Sequence, residues 1–234
     1  MNNMPVFMND YEFKLPVSKQ IIKFRHTTVN DERFLKGSNN KLKYIQNVVL
    51  NDINVGELCE VDFHLFLREL RIKSKKTQLE VSYVCKGNDC SMQELDQPKA
   101  INIEDDMSVE YATENEIHVE SVDMVLFLDK LKIKDILRIE DIEFEETNPF
   151  RLAYLRLFEK LCVSIVHIDY NGEIFDNLTA ENTKNWLNTL PQGIQEDIIN
   201  QYHKTLDKIV LSKEFVCPMC DTVTPFKRKV DFFH

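Results

Sequence analysis

Glycine is scarce in this chain, with five in 234 residues. So few leave little room for a backbone-cradled phosphate loop, and neither GxGxxG nor GxxxxGK[ST] occurs. GxSxG and HExxH are missing too, which removes the common serine-nucleophile and zinc-peptidase signatures. The six histidines are scattered, and no spacing singles out an acid–base pair, so a non-enzymatic protein is expected. No apolar run approaches the roughly 20 residues of a membrane span. No apolar h-region follows Met1, so no secretory leader is expected. Basic charge is also short: 29 Lys and Arg face 39 Asp and Glu, a net charge of −10. That lacks the basic footprint of a general nucleic-acid binder. Ala100 to Asp129 contains nine Asp or Glu and no Lys or Arg, whereas Lys14 to Lys43 and "KRK" near the end are basic. Such segregation can orient partners in an assembly, or it can mark a solvated acidic face. There are no internal repeats and no low-complexity linker.

The chain does have enough apolar residues for a core, at 43% hydrophobic and 29% charged. "YEFKLPVSKQIIKFR" alternates through Phe13, Leu15, Ile22 and Phe24 and predicts a β-hairpin. Thr28 with Asp31 predicts a cap for a short helix over 28–36. Leu42, Ile45, Val48, Val49 and Ile53 predict a second helix over 41–53. "ELCEVDFHLFLRELRIKSK" predicts a third over 58–73, with cations at its C-terminal end; His64 on it reads as a core histidine. Alternating segments predict a small sheet over 78–128. "DKLKIKDILRIEDI" fits strand or helix. Asn148 as cap and Pro149 at the first position open a helix. "HIDYNGEIFDNL" reads as a loop, Thr179 caps a further helix, and "GIQEDIINQYHKTLDKIVL" reads as the last one. The expected fold class is α+β: hairpin and helices over 1–76, a small β region over 77–147, and a helical C-terminal half over 148–234. The terminal cysteine knuckle is expected to return to the β region. The aromatic pair in the terminal "VDFFH" suits either packing against that knuckle or anchoring on a partner.

Six cysteines divide into two kinds. Cys59 and Cys162 sit in apolar, helix-like stretches and read as small hydrophobes. Cys85 and Cys90 in "CKGNDC", and Cys217 and Cys220 in "CPMC", are short-range pairs on turns. In reducing intracellular surroundings such pairs go with metal or redox chemistry rather than disulfides. Two facing knuckles supply the four thiolates of a closed structural zinc site; iron accepts the same set less commonly. The four-residue spacer of the first pair is wider than the usual two, and more than half the chain separates the pairs. A redox CPMC remains open, although that reading expects a helix N-terminus after the second pair's strand. Reduced, unmetallated thiols remain open as well.

Several motifs together resemble one family. "YEFKLPVSKQIIKFRHTTVNDERFL" is similar to the opening of the baseplate hub subunit family of contractile-tailed, T-even-like bacteriophages, "ELxLPSTGKKIKYRPFxVKEEKxLL". The matching positions include Tyr11, Leu15, Pro16, Ser18, Lys23, Arg25, Val29, Glu32 and Leu35. Phe66, Leu67, Leu70, Arg71, Lys73 and Ser74 follow the family's "FLxLRxKS". A cysteine pair on a turn comes next, and a second pair with "DFF" (Asp231, Phe232, Phe233) closes the chain. The chain departs from the pattern where "SKQ" replaces the glycine-bearing "STGKK" turn, and the stretch from 101 to 211 matches only in helical character. The resemblance implies a structural component or assembly factor of the tail baseplate hub. Its partners would be other hub proteins, and its place the host cytoplasm during assembly and the virion tail. The competing reading is a zinc-ribbon regulatory protein that binds nucleic acid, with "KRKV" beside the ribbon as its basic element.

Overall fold

The alternation at the start of the chain closes as a hairpin, and mixed strands and helices follow it. The computed structural model describes residues 9–28, 31, 41–74, 77–88, 90–91, 97–112 and 114–229. The strands are β1 (Asp10–Lys14), β2 (Ile21–Arg25), β3 (Gln78–Tyr83), β4 (Gln97–Asn102), β5 (Met107–Glu110), β6 (Glu116–Val119), β7 (Met124–Leu128), β8 (Ile165–Tyr170), β9 (Glu173–Phe175), β10 (Lys208–Val216) and β11 (Val223–Lys229). The helices are α1 (Lys41–Gln46), α2 (Glu60–Lys73), α3 (Ile133–Glu140), α4 (Pro149–Ser164), α5 (Ala180–Leu187) and α6 (Gln192–Thr205). The fold is α+β. It divides into two compact units, one of residues 1–55, 61–110 and 208–234, the other of 56–60 and 111–207. The three-part division read along the sequence is consecutive, whereas these units are not: the chain leaves the first after β5 and re-enters it with β10.

In the first unit β1 and β2 pair antiparallel, Tyr11 opposite Phe24 and Phe13 opposite Ile22. Leu15, Ile22 and Phe24 are fully buried, and Phe24 meets Phe66 of α2 edge to face at 5.2 Å between ring centres. The connecting loop has no glycine, and Lys19 itself takes a left-handed φ of 62°. A carboxylate from far along the chain holds this loop. Asp62 of α2 is fully buried, and its two oxygens accept the backbone N–H groups of Val17 and Ser18 at 2.8 Å each.

The helix expected over 41–53 stops at Gln46. Beyond it the chain turns through Asn47 and Val48, and Val49 forms an antiparallel β-bridge with Phe24 of β2. Arg25 N–H donates to Val48 O and Leu50 N–H to Lys23 O, while the Asn51 amide donates to Ile21 O. Pairing with the free edge of the hairpin outweighs a local helical preference that β-branched residues already weaken.

The cap at Thr28 forms. Thr28 N–H donates to Asp31 Oδ2 at 2.7 Å, and Asp31 N–H reaches Thr28 Oγ1 at 3.4 Å. Residues 32–36 of the expected helix lie outside the described residues. Asp31 also accepts a two-pronged Arg25 contact at 2.7 and 2.9 Å. The Arg25 guanidinium, helped by the Thr28 donors, holds the Asp31 carboxyl far below the usual carboxylate range. A native pKa below the unfolded one contributes stability that is complete above about pH 4 and is lost as pH falls. Asp31→Asn should therefore destabilise the protein at neutral pH, and the deficit should shrink as pH drops below about 4. Urea denaturation across that range measures it.

A three-stranded sheet with order β5-β10-β11 completes this unit beside the β3–β4 hairpin. It draws the acidic stretch and the basic C-terminal strands together. Lys213 bonds Asp106 at 2.8 Å and Lys227 bonds Glu110 at 2.6 Å. Part of the charge segregation visible in the sequence is thus neutralised inside the sheet.

The second unit is an antiparallel sheet of order β6-β7-β8-β9 with its four helices. Its core gathers Ile117, Leu126, Leu161, Cys162, Ile198 and Tyr202 among others. The expected caps are present: Asn148 Oδ1 accepts from Phe150 N at 2.9 Å, and Thr179 Oγ1 accepts from Asn182 N at 3.1 Å. The ambiguous segment after Lys132 is helix α3, with Ile133, Ile136 and Ile139 buried. "HIDYNGEIFDNL", expected as a loop, is instead the β8–β9 hairpin. Asn171 and Gly172 both take positive φ, 53° and 80°, and an Asn-Gly pair of this kind matches the twist of flanking strands. The last helix ends at Thr205, so Ile209, read as helical, lies on β10. Among its described residues the C-terminal half therefore contains three helices and four strands. Among the described residues no helix is long and apolar enough to cross a membrane.

Candidate metal centre

The four cysteines singled out by spacing converge in the first unit. Cys85 and Cys90 sit in the connection between β3 and β4, Cys217 and Cys220 in the turn between β10 and β11. Each knuckle is thus the closed end of an antiparallel hairpin. Aromatic packing sets the two hairpins side by side, Tyr83 at the end of β3 stacking on Phe215 of β10 at 4.8 Å. Val216 pairs with Val223 as the last rung of the second hairpin. Within its turn, Cys217 N–H donates to Thr222 O and Asp221 N–H to Cys217 O, both at 3.0 Å. Asp221 takes a left-handed φ of 56°.

All four sulfurs lie within 4.8 Å of one another. Cys85 and Cys220 approach to 3.6 Å, Cys90 and Cys217 to 3.7 Å. None of these thiols is in a disulfide, a bond that needs sulfurs about 2.05 Å apart. Four sulfurs each about 2.3 Å from one ion stand about 3.8 Å apart in a regular tetrahedron. The observed spacings suit that polyhedron. Cys85, Cys90 and Cys217 are buried and Cys220 is exposed.

Gly87 has a role that its turn-forming composition does not reveal. A Cβ there would lie 2.5 Å from Thr222 Oγ1 and 2.9 Å from Cys220 Sγ. Only a residue without a side chain lets the first loop come this close to the second. Gly87 N–H also donates to Cys85 Sγ at 3.3 Å.

Without a cation, four adjacent sulfurs cannot all ionise, because each thiolate raises the pKa of the others. The Gly87 amide favours the Cys85 thiolate, but burial and the neighbouring thiols outweigh it and push Cys85 up to about 12. The Thr222 hydroxyl, 3.2 Å away, and the Thr222 backbone bring Cys220 down to about 6. A dication held by these four sulfurs would remove this disparity, since coordination deprotonates a thiol outright. The four sulfurs could hold a metal ion, and a four-thiolate set of this kind, which zinc accepts, would leave no position for substrate. The redox expectation does not find its context: "CPMC" closes a β-hairpin and opens no helix.

Cys59 and Cys162 stand apart from the cluster, in the second unit. Cys162 is a core residue, its thiol pushed up to about 12 by burial. Cys59 forms a β-bridge with Lys132. His64 is buried on α2, as its apolar neighbours suggested. The segment 230–234, with its terminal aromatics, lies outside the described residues.

The family model described as T4 bacteriophage base plate protein matches residues 8–234. The chain belongs to that family. No curated protein and no solved structure gives a match. In this base plate protein the matched span includes both hairpins and all four clustered cysteines. Sequence reasoning found the four sulfurs but missed Gly87 and Thr222 as the residues that let the loops meet. A glycine two residues after the first cysteine was the one available signal. Asp62 was missed as well, since an acidic residue in the first turn of a helix is ordinary and its partners lie 45 and 44 residues earlier.

Proposed function

We propose that this base plate protein is a structural component or assembly factor of the tail baseplate hub, stapled by one zinc ion on Cys85, Cys90, Cys217 and Cys220. The observation that carries the reading is the family match from residue 8 to 234. The hub assignment rests on the motif resemblance in the first 74 residues and at the C-terminus. In this reading the two hairpins form a zinc-ribbon-like staple that ties the middle of the chain to its end, with a folding role and no catalytic one. The partners are other hub proteins, met in the host cytoplasm during assembly. A DNA-binding regulator is disfavoured by the net charge of −10 and by the pairing of Lys227, within the basic "KRK", with Glu110.

Quantitative proteomics of purified particles beside hub intermediates from infected cells tests the proposal. The chain is expected in the intermediates, and its retention in particles separates component from assembly factor. Absence from both, or normal hubs formed without it, overturns the reading. Salt-dependent binding to DNA at micromolar protein would favour the regulator instead.

A further inference from the structure

The second unit carries a feature that neither metal binding nor the family match assigns. A cavity of about 540 Å³ opens between the β8–β9 hairpin and helices α5 and α6. Met124, Ile168, Phe175, Leu178, Trp186 and Ile194 form much of its wall. Tyr170 and Phe175 of the wall are themselves exposed, and Ile174, exposed at 65%, stands between them in sequence, on the strand's other face. Among the described residues strand β9 is the last in its sheet and pairs only with β8, so its other edge has no strand partner there. Exposed apolar surface beside a free strand edge is the pattern of a binding face.

Charge indicates what covers it. Asp123, Glu173, Asp176 and Glu181 each lie within two positions of a cavity residue in sequence. None of them is in an ion pair among the described residues. The nearest lysine in sequence, Lys184, is engaged by Glu159. The cavity wall is therefore apolar, and the exposed residues that flank it along the chain are anionic. We propose that the cavity and the free edge of β9 dock a basic, extended segment of another protein: one aliphatic or aromatic anchor fills the cavity, and flanking Lys or Arg meet the carboxylates. Strand addition supplies main-chain hydrogen bonds and the pocket supplies side-chain selectivity, while charge complementarity speeds the encounter.

The proposal does not depend on the hub reading or on the metal. Its test is selection of a random nine-residue peptide library on the intact chain. The comparison is the exposed-site triple variant Ile174→Asp, Glu173→Lys, Asp176→Lys, whose circular dichroism and melting should match the wild type. Enriched peptides should share an apolar anchor between basic residues, bind the variant at least tenfold more weakly, and lose affinity as salt rises. Trp186, the single tryptophan of the chain, lies in the cavity wall, so its emission should shift on titration with a selected peptide. Three outcomes overturn the proposal: no enrichment over the variant, a consensus without basic residues, or binding that leaves Trp186 unchanged. Concentration-dependent self-association that the triple variant abolishes also overturns it, since the occupant is then a second copy.

Discussion

Protein purified under reducing conditions should carry one zinc per chain, and stripping it should lower the melting temperature by about 10 °C or more. The reason is linkage. The thiolate cage does not exist in the unfolded chain, so metal-binding energy is folding energy. A loss of several kcal/mol corresponds to this shift at about 2–4 °C per kcal/mol for a chain of this size. Cys217→Ser should reproduce the effect of chelator, because Cys217 is fully buried and at contact distance from Cys90. Gly87→Ala should lower metal affinity without removing a ligand, since its Cβ would press on Thr222 and on the Cys220 sulfur. Cys59→Ala and Cys162→Ala should leave metal content unchanged, because both lie in the other unit. Elemental analysis and visible absorbance separate zinc from iron. Less than about half a metal per chain, with a melting curve indifferent to chelator, would show the four residues to be ordinary reduced thiols.

Asp62→Ala should be strongly destabilising, at about 2–4 kcal/mol. The carboxylate is fully buried and accepts two backbone N–H groups of the β1–β2 connection. Alanine leaves both donors without a charged acceptor and releases a loop whose Lys19 already sits at positive φ. Asp62→Asn should cost less, since one oxygen survives. Denaturant midpoints measure the difference, and a change below about 1 kcal/mol for Asp62→Ala would mean that the loop holds itself.

Much of this protein was legible residue by residue because the deciding interactions are local. The Asn148 and Thr179 caps, the Thr28–Asp31 pair and the alternation of β1 and β2 each involve neighbours a few positions apart, where backbone geometry leaves few choices. Asn171–Gly172 belongs with them: its hairpin signal was present although the segment read as a loop. The identity of the four cysteines was equally local, set by two short spacings.

Tertiary structure decided what depends on meeting distant chain. The segment after Gln46 has helical periodicity, yet it turns at Val48 and bridges from Val49 to Phe24, because β2 offers an edge to pair with. Ile209 belongs to a strand because Val109 of β5 pairs with it. The acidic run and the basic C-terminal strands neutralise one another only because β5 and β11 share a sheet. The sequence by itself determined which residues can cap, turn and ligate. Only the fold decided that two knuckles 127 positions apart close on one point, because that closure rests on Tyr83 against Phe215 and on a glycine thin enough to let the loops touch.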